Sequence, residues 1–297
     1  SGELLCLGTV GENVSTDEAR ACARQCALNA LAAVKAVVGD LDAVAFAQGP
    51  GLGPCLRTGA SAARALALTL HRPLVGVNHC VAHLEVGRAV LGCRDPVLLY
   101  ASGGNTQVIA YAAGRYRVFG ETLDIGVGNM LDKLGREMGL PFPAGPELER
   151  MALEGGDLLP LPYSVKGMDV AYSGMLTAAT QLLARGASPR DLALSVQETA
   201  FAMLVEVTER AMAHVGRDEV LLGGGVAANS RLREMTEVMA RERGARAYAP
   251  PASLCVDNGA MIAVLGHMMA GAGATTPLEA SAVDQRFRTD QVEVTWR

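Results

Sequence analysis

The sequence contains no apolar run that approaches the ~20 residues of a membrane-spanning helix. Aromatic residues are scarce, at 4% of the chain with a single tryptophan. We expect no secretory leader, because the Ser-Gly-Glu start has neither a basic nor an apolar segment. Positive charge is also in deficit, since 26 Lys and Arg face 31 acidic residues and leave a net charge of −5. The chain as a whole therefore does not attract nucleic acid, and an RNA partner needs a local basic patch or another subunit.

The cysteines offer no disulfide framework. Their number is seven, which is odd, and no Cys-x-x-Cys pair is present. We therefore expect free thiols in a reducing compartment, the cytoplasm or the nucleus. Cys80 follows His79 directly, so on a helix it points away from that histidine and we expect it to pack.

What the chain does have is a pattern of strands, Gly-rich turns and helices. Its 297 residues are half hydrophobic and include 34 glycines, which favours an α/β protein of two lobes. Predicted strands cover residues 3–10, 41–47, 73–78, 96–101, 107–112, 116–120, 219–222 and 246–249, and a final strand is expected within 285–297. Predicted helices cover residues 15–38, 56–70, 129–138 and 188–215, with a short one around 149 and others beginning near 79, 229 and 257, while 157–173 is predicted to be irregular.

Two histidines at helical spacing, His79 and His83, follow a strand-like run. Residues four apart share a helix face, so both imidazoles can point at one ion. Asp257 is the main candidate for a third ligand, because two histidines and a carboxylate leave coordination positions open for substrate. The alternative is that the spacing is accidental and the pair is structural.

Three Gly-rich turns, at residues 48–54, 102–106 and 223–229, each follow a predicted strand. Backbone N–H groups at such turns can face a phosphate, although close-packed turns that need positive φ use glycine equally well. The first turn lacks the spacing and the lysine of a Walker loop. Ligands of open α/β sheets lie beyond the carboxyl ends of strands, so the turns and Asp257 are expected to meet in one cleft.

Six short motifs in order give the chain a resemblance to the tRNA threonylcarbamoyladenosine transferase family, once described as O-sialoglycoprotein endopeptidases. They are residues 48–53 (QGPGLG), 78–83 (NHCVAH), 100–107 (YASGGNTQ), 119–124 (FGETLD), 224–229 (GGVAAN) and 257–263 (DNGAMIA). Two more runs, 161–169 and 292–297, resemble the archaeal and eukaryotic branch, whose members work within the KEOPS (EKC) complex. The resemblance extends from roughly residue 40 to the C-terminus.

The resemblance implies an actin/Hsp70/sugar-kinase-like (ASKHA) fold, in which two lobes with mixed sheets enclose a nucleotide cleft. On that basis we expect an N-terminal lobe at 1–95, a C-terminal lobe at 96–275 and a tail at 276–297 that returns to the first lobe. The implied reaction moves a threonylcarbamoyl group from threonylcarbamoyl-AMP to N6 of adenosine 37 in tRNAs that read codons beginning with A. ATP or its analogues are expected to bind in the same cleft.

The resemblance also assigns residues. The implied metal ligands are His79, His83 and Asp257, with Tyr100 close to the metal. One divalent ion is expected, iron or zinc by preference, although a looser site would accept magnesium. The implied substrate-binding residues are Tyr100, Ala101, Ser102, Gly103, Gly104, Asp132, Gly145, Glu149 and Asn229. Without the resemblance, the carboxylates would be ordinary surface residues and Asn229 a helix cap.

The partners implied are tRNA, a small atypical kinase and a dimerising subunit that binds the N-terminal helices, with no membrane. The family normally begins with a central strand and hairpin, whereas this sequence starts later. We therefore expect either a truncated chain or another element in that place, since the loss of a central strand would expose sheet edges and apolar core. Two alternatives remain open: a non-catalytic scaffold subunit, and a small-molecule phosphotransferase of the same fold, against which the metal triad argues. A protease gains little support, because the HxxxH motif lacks the glutamate of HExxH.

Overall fold

The computed structural model describes residues 41–297. The predicted strand at 3–10 and helix at 15–38 lie outside these residues and stay predictions. The described part confirms an α/β protein with mixed sheets.

The first unit is a β-α-β-α run in which strand β1 (Val44–Gly49) pairs in parallel with strand β2 (Leu74–Asn78). Helix α1 (Gly53–Leu70) connects them, and helix α2 (His79–Leu91) follows β2 without a break. All five residues of β2 are buried, as expected of a strand covered on both faces.

The start of α2 is fixed locally. The Asn78 side chain accepts hydrogen bonds from the backbone N–H groups of Cys80 and Val81 at 3.0 and 3.2 Å, which satisfies two of the unpaired donors of the first turn. Gly92, in the left-handed conformation at φ 69°, ends the helix. This cap places His79 in the first helical position, with His83 one turn later on the same face.

The second sheet has five strands: β3 (Val97–Ala101), β4 (Thr106–Ala112), β5 (Arg115–Glu121), β8 (Glu219–Gly223) and β9 (Arg246–Tyr248). Between β5 and β8 in the sequence, β6 (Val165–Lys166) and β7 (Asp169–Val170) form a separate short hairpin. The strand order in the second sheet is β5-β4-β3-β8-β9. The central strand β3 is fully buried, antiparallel to β4 and parallel to β8. The turns after β3 and β8 therefore lie at the same edge of the sheet.

Helices cover this sheet and supply most of its core. They are α3 (Val127–Glu137), α4 (Gly145–Ala152), α5 (Ser173–Ala184), α6 (Pro189–Val215) and α7 (Ser230–Glu242). Two further helices follow β9: α8 (Ala252–Cys255), and α9 (Gly259–Gly271), which packs against α2 and the β1–β2 pair of the first unit. The 27-residue helix α6 starts at its Ser188 cap and ends at Gly216, and it contributes many of the core side chains. In the described part of the chain no helix is both long and apolar enough to cross a membrane.

Three local predictions are wrong. Residues 157–173, predicted to be irregular, contain the β6–β7 hairpin. The helix predicted to begin at Asp257 begins at Gly259, because the Asn258 side chain caps it by accepting from the N–H of Met261 at 2.9 Å. The tail contains no final strand within the described residues, but a 3-10 turn at Thr289–Gln291.

Candidate metal centre and adjoining cleft

Three potential metal ligands converge at one end of α2. The Nε2 atoms of His79 and His83 lie 3.0 and 3.3 Å from the same oxygen, Oδ1 of Asp257. One donor atom from each residue lies within 4.8 Å of the other two. The structure thus brings together a pair set by helical spacing and a carboxylate that lies 174 residues beyond His83 in the sequence.

Asp257 reaches the histidines from the loop between α8 and α9. Helix α8 packs against α2 and against the 3-10 turn at Gly225–Ala228. The carboxylate remains accessible, since its side chain is 74% exposed, against 16% for His79 and 1% for His83. The group is therefore open to solvent on the side of the carboxylate and closed behind His83.

Electrostatics favour the protonation states that bind a cation. Hydrogen bonds from His79 and His83 hold the pKa of the Asp257 carboxyl below its usual range, although partial burial opposes them. Burial lowers the pKa of His83, outweighing its contact with Asp257. A neutral imidazole and an ionised carboxylate are the forms that bind metals.

The donor set fits a divalent metal ion. Metal–ligand bonds of about 2.0–2.2 Å with angles between about 90° and 110° separate neighbouring donor atoms by roughly 3.0–3.5 Å, and the nitrogen–oxygen distances here are 3.0 and 3.3 Å. Nitrogen and carboxylate ligands together suit iron and zinc, with magnesium less favoured. His79, His83 and Asp257 would hold the ion and leave coordination positions toward solvent.

Tyr100 lies next to this group. Its ring centroid is 5.0 Å from that of His83, and the residue is 1% exposed. Burial raises the pKa of its phenol, so the hydroxyl stays protonated. Tyr100 is the last residue but one of β3, so the strand delivers the Gly-rich turn to the same place.

The turn after β3 is held by backbone contacts. Ala101 is buried, Ser102 is half-buried, and Gly103 and Gly104 are exposed. The carbonyl oxygens of Ser102 and Gly103 accept from the N–H groups of Gly128 and Asn129, in the first turn of α3, at 3.1 and 2.9 Å. A Cβ at Gly128 would lie 2.7 Å from Gly103, so the close approach requires glycine there.

Glu149, Gly145 and Asn229 line a narrow cleft on the α3–α4–α6–α7 side. Glu149 Oε1 accepts hydrogen bonds from the N–H and the hydroxyl of Ser230 at 2.8 and 2.5 Å. The Asn229 side chain caps α7 by accepting from the N–H groups of Arg231 and Leu232. The walls of the cleft are apolar with a few polar groups, and at about 10 Å³ its free space has room for about one water molecule.

Asp132 lies behind the cleft rather than in its lining. Its Oδ1 accepts from the N–H of Ala144 at 2.8 Å, immediately before Gly145 begins α4. In this structure both Asp132 and Asn229 make structural hydrogen bonds. Asn229 also lines the cleft, whereas the resemblance alone assigns Asp132 to a ligand.

One cleft residue is absent from the sequence-based prediction. Gln197 is buried in α6, lines the cleft, and its Oε1 accepts from Asn229 Nδ2 at 3.0 Å. A polar residue on the apolar face of a long helix was the available signal. It was too weak, because nothing local indicates what that residue faces.

Comparison with known proteins agrees with the motifs. The tRNA N6-adenosine threonylcarbamoyltransferase family matches residues 16–264. A protein of that name from Methanocella arvoryzae is 60% identical over 257 residues, which are 86% of this chain and 79% of that protein. Another, from Thermococcus sibiricus, is 56% identical over 90% of this chain and 82% of its own length.

A relative with a longer chain also matches. It is a probable bifunctional tRNA threonylcarbamoyladenosine biosynthesis protein from Methanocorpusculum labreanum, 59% identical over 86% of this chain. The matching region occupies 49% of that protein.

Solved structures confirm the fold. The crystal structure of HypF from T. kodakarensis superposes with a TM-score of 0.66 at 16% identity, over 91% of this chain and 46% of that one. Full-length HypF in a phosphate- and nucleotide-bound form gives a TM-score of 0.58 at 13% identity, over 75% of this chain and 46% of that one. The chain thus spans about half the length of these solved chains, and the likeness confirms the predicted actin/Hsp70/sugar-kinase-like fold.

Proposed function

The chain belongs to the tRNA N6-adenosine threonylcarbamoyltransferase family, and from that premise we propose that it transfers the threonylcarbamoyl group of threonylcarbamoyl-AMP to N6 of adenosine 37. The acceptors are tRNAs that read codons beginning with A. The transferase activity follows from family membership, whereas the donor, the metal and the partners are our proposal. The observation that carries the proposal is the convergence of His79, His83 and Asp257 beside the turn that follows Tyr100.

The reaction is an acyl transfer that needs no nucleophile from the protein. The adenosine amine forms a bond to the carbamoyl carbon, the bond from that carbon to the phosphate oxygen breaks, and AMP leaves with the electron pair. The amine loses one proton to solvent or to a nearby base. An exocyclic amine is a weak nucleophile, so the catalyst must chiefly orient the reactants and stabilise developing negative charge.

The residues of the site suit those two tasks. A divalent ion held by His79, His83 and Asp257 would polarise a carbonyl or bind the threonyl carboxylate. The exposed backbone of Gly103 and Gly104 allows a close approach of the phosphate or the carbamoyl oxygen. Glu149 can accept hydrogen bonds from ribose hydroxyls once its contacts with Ser230 exchange.

We further propose that the chain works in a KEOPS-type assembly with a small kinase and a dimerising subunit. The name of the Methanocorpusculum relative supports a second function joined to the transferase in that protein. The net charge of −5 supports the same arrangement, because this chain alone has no overall attraction for tRNA. Partner subunits would supply the basic surface.

The test is a reconstituted reaction. The purified chain, with its candidate partner subunits, receives threonylcarbamoyl-AMP and an unmodified tRNA that reads A-starting codons, and digested nucleosides are analysed by mass. We expect threonylcarbamoyladenosine from the wild type and none from His79→Ala, while Glu237→Gln on the exposed face of α7 stays fully active. Product formation at an undiminished rate in folded His79→Ala would contradict the role of the metal, and absence of product from the wild type would favour a scaffold role.

A further inference from the structure

The C-terminal residues 287–297, called the C-terminal strap below, run along helix α2. Near the start of the helix, the carbonyl of Phe287 accepts from the capping side chain of Asn78 at 3.1 Å. The buried Thr289 lies beside the thiol of Cys80. Val292 is 6% exposed and belongs to the same hydrophobic cluster as residues of α2. The strap therefore meets the helix at several points along its length.

At the far end of this contact lies a buried charge. Glu85 of α2 is 0% exposed, and its Oε1 accepts from Trp296 Nε1 at 2.9 Å. The same oxygen accepts from the hydroxyl of Tyr116, and Oε2 accepts from Arg88 at 2.5 Å. A buried carboxylate destabilises the fold unless hydrogen-bond donors surround it. Removal of one donor therefore leaves the carboxylate less well satisfied and weakens the whole hydrogen-bonded group.

The last residue secures the strap from outside. The Arg297 guanidinium lies 4.2 Å from the centroid of the Tyr111 ring, a cation–π distance. Its Nη1 donates to Asp95 at 3.0 Å and its Nη2 to the carbonyl of Arg94 at 2.9 Å. These contacts join the strap to the β4–β5 hairpin and to the loop that follows α2.

The strap's contact at Glu85 and the metal ligand His83 lie on opposite faces of α2. Glu85 follows His83 by two positions, which is about 200° around a helix of 3.6 residues per turn. The strap thus supports the helix from behind while the two imidazoles face Asp257.

The orientation of the His83 ring depends on the position of α2, because its Nδ1 has no hydrogen bond within the described part of the chain that would fix the ring. In most metal sites the second ring nitrogen of a ligating histidine donates to a carboxylate or a carbonyl, which fixes the ring. Here Nδ1 of His83 is buried and has no hydrogen-bond partner among the described residues. The orientation of the ring consequently depends on packing and on where α2 lies.

We propose that Trp296 and Glu85 are positioning residues for the metal site: through them the C-terminal strap holds α2 at the place where His79 and His83 meet Asp257. The inference rests on the proposed function, in which this triad binds a metal. It adds the requirement that the strap, in addition to the three ligands, be in place for metal binding.

The test is Co²⁺ binding by the full chain, followed through the visible absorption of the ion and by a competing chelator. Trp296→Phe keeps an aromatic ring and removes only the N–H donor. Groups that hydrogen-bond a metal ligand directly are typically worth about 10- to 100-fold in affinity. Trp296 acts through Glu85, one contact further from the ligands, so we expect the lower end of that range, an about tenfold weaker Co²⁺ affinity, with a shifted absorption band. Glu293→Gln, an exposed change within the same strap, is the matched control and should bind as the wild type does.

Glu85→Gln is the second variant and should weaken Co²⁺ binding in the same way, and thermal unfolding of the metal-free proteins shows that each variant is folded. Unchanged affinity and an unchanged band in folded Trp296→Phe would overturn the inference, whether or not Glu85→Gln folds. His79→Ala separates this result from a failure of the proposed function. If His79→Ala loses Co²⁺ and Trp296→Phe does not, only the role of the strap is wrong; if His79→Ala also binds normally, the metal site itself is wrong.

Discussion

At the scale of single residues, the charge of Asp257 is the feature on which metal binding depends most directly. The carboxylate is the anionic member of the triad, and its contacts with both histidines keep it ionised. Asparagine has nearly the same shape but no charge. The residue therefore allows charge to be tested separately from packing.

We expect Asp257→Asn to weaken Zn²⁺ binding by roughly 100-fold, about 2.8 kcal/mol, without unfolding the protein, because the side chain is 74% exposed. Equilibrium dialysis with metal analysis measures the affinity, and Glu237→Gln serves as the exposed control. Equal zinc occupancy in Asp257→Asn and the wild type would remove Asp257 from the ligand set.

At the scale of elements, the turn after β8 is built on a glycine that no other residue can replace. Gly224 has φ +89°, and a Cβ there would lie 2.4 Å from the carbonyl oxygen of Ala101. Its neighbour Gly225 has no such φ, and a Cβ there would meet nothing within 4 Å. The two adjacent glycines thus form a matched pair.

Gly224→Ala should lower the free energy of unfolding by about 2–4 kcal/mol, since the unfavourable backbone conformation costs about 1–3 kcal/mol and the clash adds to it. Gly225→Ala should change it by less than about 0.5 kcal/mol. Urea titration followed by circular dichroism provides both values. Similar midpoints for the two variants would show that the close packing of the β3 and β8 turns is not rigid.

The start of α5 predicts a pH dependence. Partial burial tends to raise the pKa of Asp124, but the backbone N–H groups of Tyr172, Ser173 and Ile125 lower it more. In the unfolded chain an aspartate titrates near about 3.9, so the unfolded state binds the proton more readily. The stabilisation by Asp124 is therefore complete above about pH 4 and is lost as the pH falls through the lower pKa of the folded state.

Asp124→Asn should accordingly be less stable than the wild type at pH 6, and the difference should shrink toward pH 3. Unfolding curves measured between pH 3 and pH 6 test this expectation. Asp42→Asn, at an exposed aspartate just before β1, is the control. A difference that stays constant with pH would show that the carboxylate charge does not support α5.

Local signals predicted the elements that local interactions define. The start of α6, for example, follows from the preference of Ser188 for the cap position and of Pro189 for the first turn of a helix. The tail was predicted as a strand because its residues alternate, yet side chains such as Trp296 hold it against partners far away in the sequence. Similarly, helical spacing predicts that His79 and His83 share a face, whereas only the tertiary structure brings Asp257 to them and Gln197 to Asn229.

At the scale of the whole molecule, a metal ion would join parts of the chain that lie far apart in sequence. His79 and His83 belong to the first helical unit, while Asp257 lies between α8 and α9, and α9 packs against both α2 and β1. An ion that binds only the folded state stabilises all of these contacts together, since a preformed triad does not exist in the unfolded chain.

Removal of the metal should therefore lower the melting temperature of the entire protein. At a free metal concentration of 100 times the Kd the stabilisation is about 2.7 kcal/mol, which corresponds to roughly 4–5 °C for a protein of 297 residues. Calorimetry of the zinc-loaded wild type with and without EDTA measures the shift, and His79→Ala should show almost none because it lacks one ligand. If EDTA lowered the melting temperature of His79→Ala as much as that of the wild type, the stabilising ion would have to bind elsewhere; if it lowered neither, the triad would not couple metal binding to the fold.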